Sequence, residues 1–467
     1  MRRFHLFQPS AIITLVALAA SLAGAQAQLS SELREKIDKI ANDVLEKTGT
    51  PSVSLALVKD GQIVYAKAYG DAQLEPRRPA ASEMRYSIGS GSKPFTAMAL
   101  LLLQEQGKLS LDDKVSRFLP DLNRANEVTI RQLLSHTSGY QEFWPVDYVL
   151  PGMLQPVTSQ KILDQWARQP LNFDPGTKWS ISDTNYVIAG VIAEKASGMP
   201  LRQFLKDKIF TPLHMDSVVD IDQEKLSETD PVGYMRFGIG PQRPAVKEAK
   251  GWLFAGEELA MTAQDLGKWD ISVMDQTLLK PSSYRELETV AVLKNGLGTP
   301  NGLAFGVNRQ AGRRAVYTLG DISGFAAANT IFPDERVAVA VLANEDAGAP
   351  SEITRSIAPL LMAVEDPLAP QKLEQARKIF DGLQHGTLDR SQFTNNANGY
   401  FSDQALKDFA DSLAPLGPPQ QFIQTDKSLA NGLTHRTFKI KFAQKTLNAQ
   451  TAEASGGKLE QYLIESN

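Results

Sequence analysis

Cysteine is absent from all 467 residues, which excludes disulfides, thiolate metal sites, a cysteine nucleophile and a lipid-acylated cysteine anchor. Histidine is scarce: the five at positions 5, 136, 214, 385 and 435 are scattered, and no His-Glu-any-any-His helix joins two of them as a zinc hydrolase requires. Long apolar runs are missing as well, and none approaches the ~18 uninterrupted apolar residues of a comfortable bilayer crossing. Basic charge is not in excess. The formal net charge is −4, so no electrostatic pull toward nucleic acid or anionic lipid is expected. P-loop, dinucleotide and Gly-any-Ser-any-Gly signatures do not occur. Any nucleophile is therefore an oxygen or an amine, and no metal or other cofactor is expected.

What is present begins with a leader. Arg2 and Arg3 precede the apolar stretch Ala11 to Ala20 and a small-residue exit, Ala25-Gln26-Ala27, which together read as an export signal cleaved after Ala27. Residues 1–27 are thus expected to be removed. Losing Arg2 and Arg3 leaves a more acidic mature chain, exported to the periplasm or secreted, with no stable membrane span.

A polar helix is expected over about Ser30 to Thr48, followed by two alternating runs around Asp60-Gly61, a strong two-residue hairpin signal. Ala326 to Ala343 repeats the strand grammar around Pro333-Asp334-Glu335-Arg336, before a helical stretch near Ser351 to Val364. Between these ends the pattern is helical at Pro94 to Gln106, Ile130 to Ser135 and Asn185 to Ala196. Strands at both ends with helices between imply one mixed domain closed by its termini, residues 28–365. The segment Glu365-Asp366-Pro367-Leu368-Ala369-Pro370 reads as a boundary. Beyond it, residues 371–467 read as a small α+β domain, with helices at Leu373 to Leu383 and Asp403 to Leu413 and strands at Gln420 to Gln424, Thr434 to Phe442 and Leu459 to Ile464.

The chemically informative stretch is Tyr86-Ser87-Ile88-Gly89-Ser90-Gly91-Ser92-Lys93. Pro94 and the apolar run behind it place Ser90 and Lys93 on the first turn of a buried helix, where side chains three apart share a face. Burial and the positive helix end both favour a neutral lysine, which could take the serine proton as general base. A second Ser-any-any-Lys match, Ser455 to Lys458, lies in a Gly-Gly turn with no helix to join the pair.

The Ser90–Lys93 stretch resembles the first motif of the serine hydrolases that include class C beta-lactamases, D,D-peptidases and related carboxylesterases. Gly107 to Val115, Ile130 to Gly139 and Thr262 to Trp269 look like landmarks of that family in the right order. The resemblance covers roughly residues 35 to 364. It implies an α+β fold: an antiparallel sheet flanked by helices beside a helical region, with the active site between them. The small C-terminal domain faintly resembles cone-shaped accessory domains.

Two departures from the family pattern matter. The second motif, Tyr-any-Asn, matches Ile181-Ser182-Asp183, so the proton-handling phenol is replaced by an aliphatic group and Asp183 brings charge near Lys93. Tyr186 is near in sequence, but its helical position suits packing. The third motif maps to Thr318-Leu319-Gly320, where Thr318 replaces the basic residue that usually meets a substrate carboxylate. Gly320 keeps close approach of substrate possible, and the resemblance implies that the backbone N–H groups of Ser90 and Asp321 form the oxyanion hole. The expected function is an exported hydrolase that acylates Ser90 and cleaves a small ester or peptide in preference to penicillins. The competing expectation is a catalytically degenerate binding or sensing protein on the same fold.

Overall fold

The computed structural model describes residues 29–346, 348–362, 366 and 368–466. The expected leader lies outside them. The chain divides into two compact units, residues 1–363 and 364–467.

In the first unit, α1 (Ser31–Thr48) is started by the Ser30 hydroxyl accepting from the Leu33 N–H and stopped by left-handed Gly49. Its apolar stripe of Ile37, Ala41, Val44 and Leu45 follows the helical repeat and marks the face to be buried. Then come β1 (Ser52–Lys59) and β2 (Gln62–Gln73). Asp60 and Gly61 both take positive φ between them, as a tight hairpin with the native strand twist requires. The longest helices that follow are α2 (Lys93–Glu105), α3 (Thr184–Ser197) and α4 (Ala263–Asp275), alongside shorter ones such as Ile130–Leu134 and Pro281–Glu288. The chain returns through β3 (Gly306–Gln310), β4 (Arg313–Ile322), β5 (Phe325–Phe332) and β6 (Val337–Ala343), and ends in α5 (Ala349–Met362).

These strands form a seven-stranded antiparallel sheet, in which β1 pairs with β6 and the order runs from the short edge strand Arg78–Pro79 through β2, β1, β6, β5 and β4 to β3. Strand alternation sorts the residues into two cores. Val53, Leu55, Leu57, Val339 and Val341 meet α1 and α5, while Ala56, Val58, Ala338, Ala340 and Leu342 join the larger core with Phe95 and Trp269. Because both faces are covered, β1, β5 and β6 read as near-continuous apolar runs. The larger core also takes in the helical region, where α2 is buried almost all round.

The second unit has helices α6 (Ala369–Gln384) and α7 (Asp403–Leu413) and strands β7 (Gln421–Ala430), β8 (Leu433–Lys441), β9 (Thr446–Glu453) and β10 (Leu459–Ser466). The four strands pair in sequence order around a core containing Phe380, Phe393, Phe438 and Tyr462. The sequence reading expected three strands here. It missed β9, whose Thr446-Leu447-Asn448-Ala449-Gln450-Thr451-Ala452-Glu453 alternates correctly but with small apolar residues. A buried Arg436 guanidinium bridges Asp366 at 3.2 Å and Glu453 at 3.0 Å inside this unit. Ser455 and Lys458 sit around the turn before β10, with no helix between them.

Among the described residues no helix is long and apolar enough to cross a membrane.

Candidate active site

Ser90 lies in a 3-10 turn, Gly89–Ser92, that runs directly into α2, whose first residue is Lys93. The pair is therefore brought together, but across a tighter turn than the α-helical one expected. Lys93 is only 4% exposed, and its Nζ donates to Ser90 Oγ at 2.6 Å. Asp183 precedes α3 and places its Oδ1 2.7 Å from Nζ, an ion-pair distance. Glu257 arrives from the segment before the Thr262 landmark. Its Oε1 accepts from Ser90 Oγ at 2.9 Å and lies 3.5 Å from Nζ.

These carboxylates bear on the protonation of Lys93, in the direction expected of Asp183 from its place in the second motif. Burial alone works against the Lys93 ammonium, but the negative charges of Asp183 and Glu257, with Glu142 behind them, outweigh it and hold the lysine above its ordinary value. Lys93 is thus biased toward its charged form, which works against its accepting the serine proton. The carboxyls move the other way. Burial first, then the charge of Asp183, push Glu257 up to about 7 against the opposing pull of Lys93 and the Ser90 hydrogen bond. Glu142, which accepts the Asp183 and Trp144 N–H groups, is raised to about 8 by burial and by Asp183.

The replaced second motif is structurally visible. Ile181 is 56% exposed and offers no proton acceptor. Tyr186 is fully buried, with its hydroxyl donated to the Leu134 carbonyl at 3.1 Å and its ring 5.6 Å from Nζ, so it packs against the site without serving Ser90. His136 is a buried imidazole whose Nδ1 accepts the Ser182 N–H at 3.2 Å; burial and then the Lys93 charge lower it to about 3, leaving it neutral.

Two glycines fix the other wall. A Cβ on Gly320 would lie 1.9 Å from the Ile88 carbonyl oxygen, and one on Gly89, at φ +47°, would lie 2.9 Å from the Asp321 carbonyl oxygen and 3.0 Å from its nitrogen. Only hydrogen fits on either side, so β4 can lie directly against the loop that carries Ser90. Gly320→Ala should therefore cost about 3 kcal/mol and displace the Asp321 backbone from Ser90. Gly298→Ala, where nothing lies closer than 3.8 Å, is the control. Equal denaturation midpoints for both variants would contradict the close crossing.

A cavity of about 590 Å³ lies beside these groups, and its lining includes Trp144, Asp147, Asp183, Glu257, Leu319, Asp321 and Asp346. Thr318 is half-buried on β4 and is not part of that lining, whereas its neighbour Leu319 is. Asp321 is held above the usual carboxylate range by surrounding protein and by the charges of Asp346 and Asp147. Among the described lining residues there is no lysine, arginine or histidine. Glu257 and Glu142 were missed by the sequence reading. A signal for Glu257 was available: Glu257-Glu258 interrupts the otherwise apolar run Trp252 to Met261.

Comparison with known proteins agrees with this architecture. Protein flp of Staphylococcus aureus (strain N315) is 28% identical over 331 residues, covering 68% of this chain and 64% of the relative. The chain thus spans under two thirds of that protein's length. Penicillin-binding protein 4* of Bacillus subtilis is 38% identical over 158 residues, 33% of this chain and 35% of the relative. Among solved structures, the octameric penicillin-binding protein homologue of Pyrococcus abyssi matches in fold with a TM-score of 0.62 at 20% identity, over 92% of this chain and 100% of the other. A D-amino acid amidase of Ochrobactrum anthropi matches with 0.62 at 24% over 71% and 99%. The family model described as Beta-lactamase matches residues 37–362, a span that takes in Ser90, Lys93, Asp183, Glu257 and the Gly320 crossing alike, and this chain therefore belongs to the Beta-lactamase family of serine hydrolases.

Proposed function

We propose that the chain is an exported hydrolase that cleaves an ester or amide through an acyl-enzyme on Ser90. One observation carries this reading: Ser90 Oγ accepts a hydrogen bond from the buried Lys93 Nζ at 2.6 Å and donates one to the buried Glu257 carboxylate at 2.9 Å, and Glu257 in turn lines an open cavity. A hydroxyl so held has its lone pair and its proton assigned to different partners before substrate arrives. Lys93, expected from the sequence to be the base, enters instead as the fixed positive charge that orients Oγ and stabilises it as it becomes nucleophilic. The N–H groups of Ser90 and Asp321 are assigned to the oxyanion.

The cavity's charge bears on the substrate. Carboxylates of Asp147, Asp183, Glu257, Asp321 and Asp346 line it, and Thr318 supplies no cation, so acids of the penicillin type meet repulsion where the family usually offers attraction. Esters and amides that are neutral or carry an amine fit better.

The test is intact-mass analysis after exposure to a fluorophosphonate and, separately, to a penicillin. A single adduct on Ser90 with the fluorophosphonate and little with the penicillin is expected. No adduct with either would favour a binding protein built on the hydrolase fold, the reading to which Ile181 and Thr318 point. Export is tested by the N-terminus of material recovered outside the cytoplasm, expected at Gln28.

A further inference from the structure

We propose that Glu257 is the general base that takes the Ser90 proton, replacing the phenol that Ile181 cannot supply. This rests on the acyl-enzyme reading above. The observations that carry it are directional. Ser90 Oγ has two side-chain partners: it accepts from Lys93 and donates to Glu257 Oε1. Its proton therefore already points at a carboxylate oxygen 2.9 Å away, within the reach a general base needs.

Glu257 could instead be a mere counter-ion for Lys93, but the distances separate the two roles. Asp183 stands 2.7 Å from Nζ and Glu257 3.5 Å. The nearer carboxylate pairs with the lysine, and the farther one is turned toward the hydroxyl. The remaining proton acceptors of the site are engaged elsewhere: Glu142 holds the Asp183 and Trp144 N–H groups, His136 Nδ1 holds the Ser182 N–H, and the Tyr186 hydroxyl is spent on Leu134.

The step balances without any added reagent. The Ser90 O–H bond breaks toward Glu257 Oε1 as the Oγ electron pair forms a bond to the substrate carbonyl carbon, and the carbonyl π pair moves onto its oxygen. When the tetrahedral species collapses, the bond to the leaving amine or alkoxide breaks and Glu257 returns the proton to it, leaving the acyl-enzyme. Water then repeats the sequence, with its proton passing to Glu257 and from there to Ser90 Oγ. Lys93 keeps its charge throughout, so the oxygen stays beside a cation whenever it carries negative charge.

The charged groups that act on Glu257 are Lys93 from α2, Asp183 from the start of α3, and Glu248. With the carboxyl raised to about 7, its ionised form is lost below neutrality, so acylation should rise with pH through that region.

The experiment is the rate of Ser90 labelling by a fluorophosphonate, and the burst rate with p-nitrophenyl acetate, from pH 5 to 9 in wild type, Glu257→Gln and Glu257→Asp. Expected are a wild-type rate rising about tenfold per pH unit below neutrality, a loss of about 10²–10⁴-fold in Glu257→Gln with that limb abolished, and partial recovery in Glu257→Asp. Should the glutamine variant fail to fold, the wild-type limb and Glu257→Asp still decide. A flat wild-type profile, or Glu257→Gln labelling as fast as wild type with the same limb, would overturn the role of Glu257 while leaving the Ser90 acyl-enzyme intact. Absence of any Ser90 adduct in wild type would remove both.

Discussion

Ser90→Ala should abolish the covalent adduct and lower ester turnover on the order of 10⁴-fold, with little loss of stability. The first half follows because, among the described residues, Ser90 Oγ is the hydroxyl held between Lys93 and Glu257. The second half is less obvious and more informative. Removing Oγ takes away a group that accepts from one charge and donates to the other, yet the two charges already stand 3.5 Å apart and can pair directly once the hydroxyl is gone. A buried ion pair that closes up needs no third partner. The variant should therefore unfold within a few degrees of wild type, and it can melt higher, as is common where a site is held in a working arrangement at some cost to stability. Thermal unfolding by tryptophan fluorescence together with intact mass checks both halves. Undiminished labelling would move the nucleophile elsewhere in the chain.

Lys93→Met should do the reverse: activity and stability fall together. The methionine fills much of the lysine's volume, but Asp183, Glu257 and Glu142 lose the one cation buried among them. Breaking a buried charge pair by removing one partner costs about 3–5 kcal/mol. The loss should depend on pH in a specified direction. Without the ammonium, Glu257 and Glu142 are driven further toward their neutral forms, so their folded values stand well above their unfolded ones; Glu257 already starts at about 7 in wild type. A carboxyl raised in the folded state contributes stability that is fully present below its unfolded value, near 4.5, and lost as pH climbs through the folded value. The variant should thus approach wild-type stability near pH 5 and fall furthest behind near pH 8. Denaturant midpoints at the two pH values decide it. A constant deficit would show that lost packing, not lost charge, is the cause.

Most of the architecture was legible in the sequence because it is written locally. Asp60-Gly61 specifies a hairpin, the polar stretch from Ser30 to Thr48 reads as a helix, and the runs of β1, β5 and β6 announce strands, although they read as alternating where the structure covers both of their faces. The same locality explains what was missed. Read from Ser90 to Pro94 alone, Lys93 sits at a helix N-terminus over apolar residues, and both features argue for a neutral amine. What overrides them is carboxylate delivered by the fold: Glu257 is 167 residues from Ser90 and 164 from Lys93, and no spacing rule connects them. Asp183 was placed beside the lysine through the family motif, yet its effect on charge depended on a distance that only tertiary structure supplies. Strand β9 was missed for a different reason: of its inward positions Leu447, Ala449, Thr451 and Ala452, only Leu447 carries apolar bulk enough to stand out.

The crossing of Gly89 and Gly320 constrains how this site can change. Because the two backbones meet with only hydrogens between them, the nucleophile and the neighbouring Asp321 backbone form one rigid piece, and neither can be adjusted without moving the other. Adaptation to a new substrate is thereby confined to the mouth, where Leu319 and Asp346 are exposed and can be exchanged at little cost to packing. Diversification among descendants of this chain should accordingly accumulate around the entrance and spare the floor.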